Sequence, residues 1–287
     1  MKSIRRGVRW VCSLTALSLL LSVSSDVSAA SYRGISLSAR SAVIMDSNSG
    51  EILFAKNPHL KLPPASTTKV MTALIVLEML PKDALVRVGR NAVNAAPSKA
   101  GLAAGVTYSV KDLVTAALVS SSNDAATALA EAVAGDEKSF AVLMNDKARR
   151  LGMKNTHFIN ASGLPVKTKR GEEKQYSTAY DLSRLMWYAS RDRRIDEAMA
   201  LIKTSIRGSD GRVIALRSHN KMLWKTPGFV KGKTGWTIKA RHTFMGTNYS
   251  LPKRYTFAML SSAEPWIDIK RLATFGAFIA AKNRLVV

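Results

Sequence analysis

The stretch Pro63-Pro64-Ala65-Ser66-Thr67-Thr68-Lys69-Val70-Met71-Thr72-Ala73-Leu74-Ile75-Val76-Leu77-Glu78-Met79-Leu80 decides how the rest of the chain is read. Two prolines punctuate its start, and good helix formers fill Ser66 to Leu80, which predicts a helix over that span. Its apolar residues wrap most of the circumference instead of forming one stripe, so this helix belongs in the interior. The lysine at its opening is then conspicuous, because burying an ammonium is costly and desolvation pushes it toward the neutral amine.

On either side the pattern changes. Ser41–Asp46 and Glu51–Ala55 are short apolar runs around Asp46-Ser47-Asn48-Ser49-Gly50, a hairpin signature. Helical patterns cover Val110–Val119, Asn123–Ala134, Lys138–Leu151 and Thr178–Ser190. Beyond residue 211 strands return at Arg212–Arg217, Thr243–Thr247 and Tyr255–Ser261, before a closing helix at Pro265–Lys282. Strands, a long helical middle, strands and a last helix predict an α+β fold. One antiparallel sheet is flanked by helices, with the helical middle as a subdomain. No internal repeat or Pro/Gly-rich linker marks a second domain.

Length and composition agree. The chain has 287 residues, 47% hydrophobic and 22% charged, enough for a sizeable core and too apolar for a disordered protein. Only 17 Gly and 9 Pro exclude a collagen-like repeat. Lys2, Arg5, Arg6 and Arg9 precede the apolar run Val11–Val23, and Val27-Ser28-Ala29 is a small-residue cleavage pattern. Residues 1–29 therefore read as a secretory signal peptide and 30–287 as a single domain, exported to the periplasm or another extracytoplasmic compartment. The lone Cys12 lies in that leader, so the mature chain has no disulfide and depends on core packing.

The formal charge is +23, from 43 Lys+Arg against 20 Asp+Glu. Losing four bases and one acid with the leader leaves about +20. Such a charge favours polyanions, either anionic wall polymers or lipid. The basic residues are scattered, clustering only at Lys167–Arg170 and Arg191–Arg194, and no aromatic-interleaved basic patch exists, which argues against nucleic acid.

Several chemistries fail on spacing. His59, His157, His219 and His242 stand far apart without paired cysteines, so no metal site is expected, and these read as surface or packing residues. There is no Gly-x-Ser-x-Gly elbow. Gly228-Phe-Val-Lys-Gly232-Lys233-Thr234 spaces its glycines one residue too close for a phosphate loop.

Three short motifs survive. In Ser66-Thr67-Thr68-Lys69 the hydroxyl and the amine are three apart, on one helix face and within hydrogen-bond reach. Ser66 in the first turn also sits among unsatisfied N–H groups that favour developing negative charge. Ser121-Ser122-Asn123 lies at the junction of two apolar helices. Lys233-Thr234-Gly235 falls on a strand edge, where glycine permits close backbone approach by a ligand. Singly each has a bland reading as cap or turn; in this order they form the active-site set of penicillin-recognising serine enzymes.

On these residues the chain resembles the low-molecular-mass penicillin-binding proteins of the D-alanyl-D-alanine carboxypeptidase type. Pro64-Ala65, Asn123-Asp124-Ala125, Leu151–Phe158, Tyr176–Asp181, His219-Asn220 and Trp236-Thr237 extend the likeness from about Ala42 to Ala280. The resemblance implies a β-lactamase/transpeptidase-like fold without cofactor. Ser66 would be acylated, Lys69 would be its base, and Ser121 would relay a proton. Asn123, Lys233, Thr234, Gly235 and Trp236 would bind substrate, Lys233 and Thr234 taking the terminal carboxylate and the Ser66 and Trp236 amides forming an oxyanion hole. Stem peptides of peptidoglycan would be the substrate and β-lactams covalent inhibitors.

The departures set further expectations. Ala240-Arg241 stands where the family usually has Ala-Gly, making Arg241 a candidate carboxylate anchor. The chain ends after its closing helix, without the second β-rich domain or amphipathic tail of larger members, and the apolar stripe of that helix reads as core packing. Val166–Lys174 resembles an insertion that could reshape the substrate entrance. A D,D-endopeptidase on the same scaffold is the alternative activity. A β-lactamase is disfavoured because no Glu-x-x-x-Asn lies between Asn123 and Lys233, and the intact motifs argue against a non-catalytic basic envelope-binding protein.

Overall fold

Strands β1 (Ser41–Asp46) and β2 (Ile52–Lys56) form the expected hairpin at one edge of the main sheet. A 3-10 turn, Ala65–Thr68, feeds α1 (Lys69–Met79), in which every residue from Lys69 to Leu77 is buried. The helix that is apolar all round is thus the central one. The structure is a computed structural model and describes residues 35–168, 171–172, 174–225, 230–248 and 255–282. The leader with Cys12, and Lys169-Arg170 of the first basic cluster, lie outside the described residues, as does Glu173 of the Val166–Lys174 stretch.

The helical middle begins with a two-stranded ribbon, β3 (Leu85–Arg87) and β4 (Thr107–Ser109), enclosing the short α2 (Arg90–Val93). Next come α3 (Val110–Val119), α4 (Asn123–Ala134) and α5 (Glu137–Arg150). A minimal ribbon of β5 (Lys167–Thr168) and β6 (Gly171–Glu172) precedes α6 (Ala179–Ala189) and α7 (Arg193–Ala198). Local chemistry fixes the helix starts. Ser109 accepts from the Asp112 amide, Asp136 from Ser139 and Thr178 from Asp181, at 2.8–3.0 Å, each satisfying one orphan N–H.

A third ribbon, β7 (Lys203–Arg207) with β8 (Val213–Arg217), leads through α8 (Met222–Lys225) to β9 (Val230–Thr237), β10 (Arg241–Asn248), β11 (Tyr255–Ser262) and α9 (Pro265–Lys282). The main sheet runs β2-β1-β11-β10-β9, antiparallel throughout, as the α+β reading required. Side chains alternate across it. Met245, Ala258 and Leu260 join the core of the helical middle, while Phe244, Phe257 and Met259 pack with Ile269, Leu272 and Ala273 of α9. The stripe on α9 is therefore core, and no helix among the described residues is long and apolar enough to cross a membrane. This topology leaves β9 as the edge strand and brings its middle against the turn that precedes α1.

Candidate active site

Ser66 does not open the α-helix as the sequence suggests; it lies inside the 3-10 turn before it. The reason is local. Buried Ala65 adopts φ = +48°, a left-handed conformation that no helix continues through. The surroundings hold it there: Thr67 and, from β10, Thr243 both donate hydroxyls to the Pro64 carbonyl, at 2.7 and 3.0 Å. Two glycines let backbone close around the turn. A Cβ on Gly163 would overlap the Ala65 carbonyl, and one on Gly235 would strike Thr243 Oγ1 and lie 2.8 Å from the Ser66 amide nitrogen.

Lys69 is fully buried, and its Nζ has three oxygen neighbours: Ser66 Oγ at 3.0 Å, Asn123 Oδ1 at 2.7 Å and the Ser162 carbonyl at 2.7 Å. Asn123 is fixed in turn by donating Nδ2 to the Ala96 carbonyl at 2.8 Å. Across the cleft, buried Lys233 donates to Ser121 Oγ at 2.9 Å and to the Thr234 carbonyl at 2.7 Å. Ser121 itself is held at φ = +59°, the second strained non-glycine residue beside this cleft. All three motifs thus meet, from α1, the α3–α4 junction and β9.

Electrostatics separate the two lysines. Burial first, and then the Lys233 cation, hold the Lys69 amine well below the ordinary lysine value, partly opposed by the Glu137 and Asp124 carboxylates. Burial pushes Lys233 down to about 7. Both ammonium forms are thus disfavoured by burial, and Lys69 carries the added repulsion of the Lys233 cation.

The motifs open on a cleft of ≈ 310 Å³ whose walls include Ser66, Ser121, Thr234, Gly235 and Trp236. Sequence reasoning alone left three contributors out. His219 lines this cleft and is pushed down to about 4 by desolvation and by Lys233 and Lys69, so it is neutral near pH 7. Trp266 at the start of α9 forms part of another wall. The Ser162 carbonyl carries no side-chain signature; the turn-forming Asn160-Ala-Ser-Gly163 is its only trace in the sequence, and Asn160 Oδ1 accepts from the Gly163 amide at 2.7 Å. Arg241 is exposed, adopts φ = +57° and is not among the residues lining the cleft. Glycine suits that position for its backbone rather than for tight packing. Among the described residues no cluster of metal-ligating side chains occurs.

Comparison with known proteins agrees with this geometry. A sequence profile for D-alanyl-D-alanine carboxypeptidases matches residues 26–260. The chain is 33% identical over 209 residues to the D-alanyl-D-alanine carboxypeptidase DacF of Bacillus subtilis, covering 71% of this chain and 52% of that protein. It is 34% identical over 244 residues to a D-alanyl-D-alanine endopeptidase of Pseudomonas aeruginosa, covering 80% and 75%. It therefore spans about half the length of the first relative and three-quarters of the second. Among solved structures, a D-alanyl-D-alanine carboxypeptidase from Mycobacterium tuberculosis superposes with a TM-score of 0.77 at 27% identity, over 86% of this chain and 94% of that one. A variant of a Streptomyces DD-transpeptidase superposes equally well, with a TM-score of 0.77 at 26% identity, over 85% and 99%.

Proposed function

The chain belongs to the D-alanyl-D-alanine carboxypeptidase family, and from that premise we propose that it is an exported serine peptidase that removes the terminal D-alanine of peptidoglycan stem peptides. The observation that carries the reading is the set of oxygens around Lys69. Two of its three neighbours, the Asn123 amide oxygen and the Ser162 carbonyl, only accept. A neutral amine gives its two protons to them and turns its lone pair to the third, the Ser66 hydroxyl, which then donates.

Ser66 Oγ attacks the carbonyl between the two D-alanines as its proton passes to Lys69. The Ser66 amide and the Trp236 amide on the edge strand stabilise the developing oxyanion, a contribution of ~3–4 kcal/mol per donor at such sites. Protonated Lys233 and the Thr234 hydroxyl receive the terminal carboxylate, while Asn123 holds the substrate amide. Ser121, bonded to Lys233, relays the proton that Lys69 has taken to the leaving amine, which returns Lys69 to its neutral form. Water then attacks the acyl-enzyme, Lys69 again taking the proton, and Ser66 is regenerated. A β-lactam acylates Ser66 by the same route and is released slowly. No step calls for a cofactor, and anionic wall polymers or lipid are the expected surroundings of so basic a chain.

A second reading, a D,D-endopeptidase cutting cross-links, gains weight from the span of the Pseudomonas relative that the chain covers. Intact-mass measurement after addition of a labelled penicillin, with peptide mapping, tests the common chemistry: one adduct per chain, on Ser66, and none on Ser66→Ala. Product masses from monomeric pentapeptide and from cross-linked muropeptides separate the two activities. Steady penicillin hydrolysis without an accumulating adduct would overturn the scheme in favour of a β-lactamase.

A further inference from the structure

The Arg191–Arg194 cluster takes no part in the chemistry above. It lies toward the end of the sheet away from the cleft: Thr243 reaches the cleft, whereas Thr247, four residues further along β10 and so roughly 13 Å away, lines a separate cavity of ≈ 500 Å³. Its walls include Ser47, Ser190, Arg191, Arg193, Asp196 and Thr247.

Arg191 is fixed before any ligand arrives. Its guanidinium stacks 3.9 Å from the centroid of the Trp187 ring and donates to the Trp187 carbonyl and, at 3.1 Å, to the Ser47 carbonyl. A guanidinium has five N–H groups, so donors remain for a ligand. Two hydroxyls on the same walls have no hydrogen-bond partner among the described residues: Ser47 Oγ, and Oγ1 of Thr247, a residue only 2% exposed. Buried hydroxyls are rarely left so. The carboxylate on the wall, Asp196, is already bridged by Lys231 at 3.0 Å, and Arg193 by Glu197. A planar carboxylate would be satisfied by the Arg191 fork alone; a tetrahedral oxyanion has further oxygens that can take up the hydroxyls. Charge adds to the case, since the chain carries +23.

We propose that this cavity is a phosphate-ester subsite that docks the protein on a phosphate-bearing envelope component. Arg191 supplies the fixed charge, Thr247 and Ser47 the hydroxyl donors, and Arg193 a second cation at the rim. The subsite acts by binding alone, independently of acylation at Ser66.

The test titrates the full chain with glycerol phosphate, with acetate at matched ionic strength, and with phosphatidylcholine vesicles containing or lacking phosphatidylglycerol. Thr247→Val removes only the orphaned hydroxyl and should fold at least as well as wild type. It should weaken phosphate binding about fivefold, and Arg191→Lys, which keeps the charge but loses the fork, about tenfold. Both variants should acylate Ser66 at the wild-type rate. Saturable binding of glycerol phosphate that both variants weaken supports the subsite with a soluble or polymeric source. Variant-sensitive binding to phosphatidylglycerol vesicles alone supports it with a lipid headgroup. Acetate binding as strong as phosphate, no saturable binding to either probe, or binding unchanged in both variants overturns it.

Discussion

Glu137, at the start of α5, accepts the Ala161 amide at 3.1 Å, one residue from the Ser162 carbonyl on which Lys69 rests. The charges acting on Lys69 come from three elements: Lys233 of β9 lowers it, and Glu137 of α5 and Asp124 of α4 raise it. Glu137→Gln keeps an acceptor for Ala161 and removes one of the two raising charges. Lys69 should then lose its proton at lower pH, so the acid limb of the penicillin acylation profile should move down while the plateau rate holds. An unmoved limb would remove Glu137 from the electrostatics of the site. Arg241 permits an opposite test. Its left-handed backbone costs a non-glycine residue roughly 1–2 kcal/mol, part of which glycine returns as chain entropy. Arg241→Gly should therefore stabilise by about 0.5–1 kcal/mol in thermal melts, and unchanged affinity for carboxylate-bearing substrates would end its candidacy as an anchor. Residues acting through side-chain chemistry, such as Ser66, Lys69 and Lys233, are legible as letters in a motif. Ser162, which acts through a carbonyl, and Arg241, whose peculiarity is a dihedral angle, are not.

At the scale of elements, legibility followed local signals. The expected boundaries of α3 and α4 are the observed ones, because capping residues and helical periodicity agree there. The short α7, the ribbon partner β7 and the small ribbons are absent from the sequence reading, since stretches of two to six residues hold too little periodicity to register. The 3-10 turn at Ser66 was hidden for another reason: its cause is tertiary, the approach of β9, β10 and the Gly163 segment. That approach is open to a direct test. In Gly235→Ala the Thr243 hydroxyl can rotate aside, but the Ser66 amide is backbone, and the new methyl would press on it. Overpacking of this kind costs about 1–3 kcal/mol, so the protein should still fold. Displacing the oxyanion donor should slow acylation by about 10²-fold or more. Wild-type acylation in a folded Gly235→Ala protein would mean that β9 does not set the nucleophile's position.

For the molecule as a whole, the site that performs the chemistry also weakens the fold, and pH exposes the conflict. Lys69 and Lys233 are buried bases held below their unfolded value, so the unfolded chain binds protons that the native state refuses. Wherever that holds, stability rises with pH. The window runs from the folded value of each lysine up to its unfolded value near 10.5. Above about 7 Lys233 is neutral in the native state and contributes a slope of about 1.4 kcal/mol per pH unit, and Lys69, held below its unfolded value, adds to it in the same direction. Tyr255 works the other way: burial raises its phenol, so above its unfolded value near 10 the native state loses ground. Thermal melts of the unacylated protein should accordingly climb from pH 7 to a maximum on the alkaline side, near 10–10.5, instead of the more usual neutral one. Lys69→Met separates the cause from general charge repulsion. The variant leaves Asn123 Oδ1 and the Ser162 carbonyl without their donor, so its stability at any one pH mixes a gain with a loss. Its slope is unambiguous, because one titrating base has gone, and should fall by about 1.4 kcal/mol per pH unit. A slope equal to that of wild type would mean that Lys69 keeps its proton in the native state, and a lysine that keeps its proton cannot take one from Ser66.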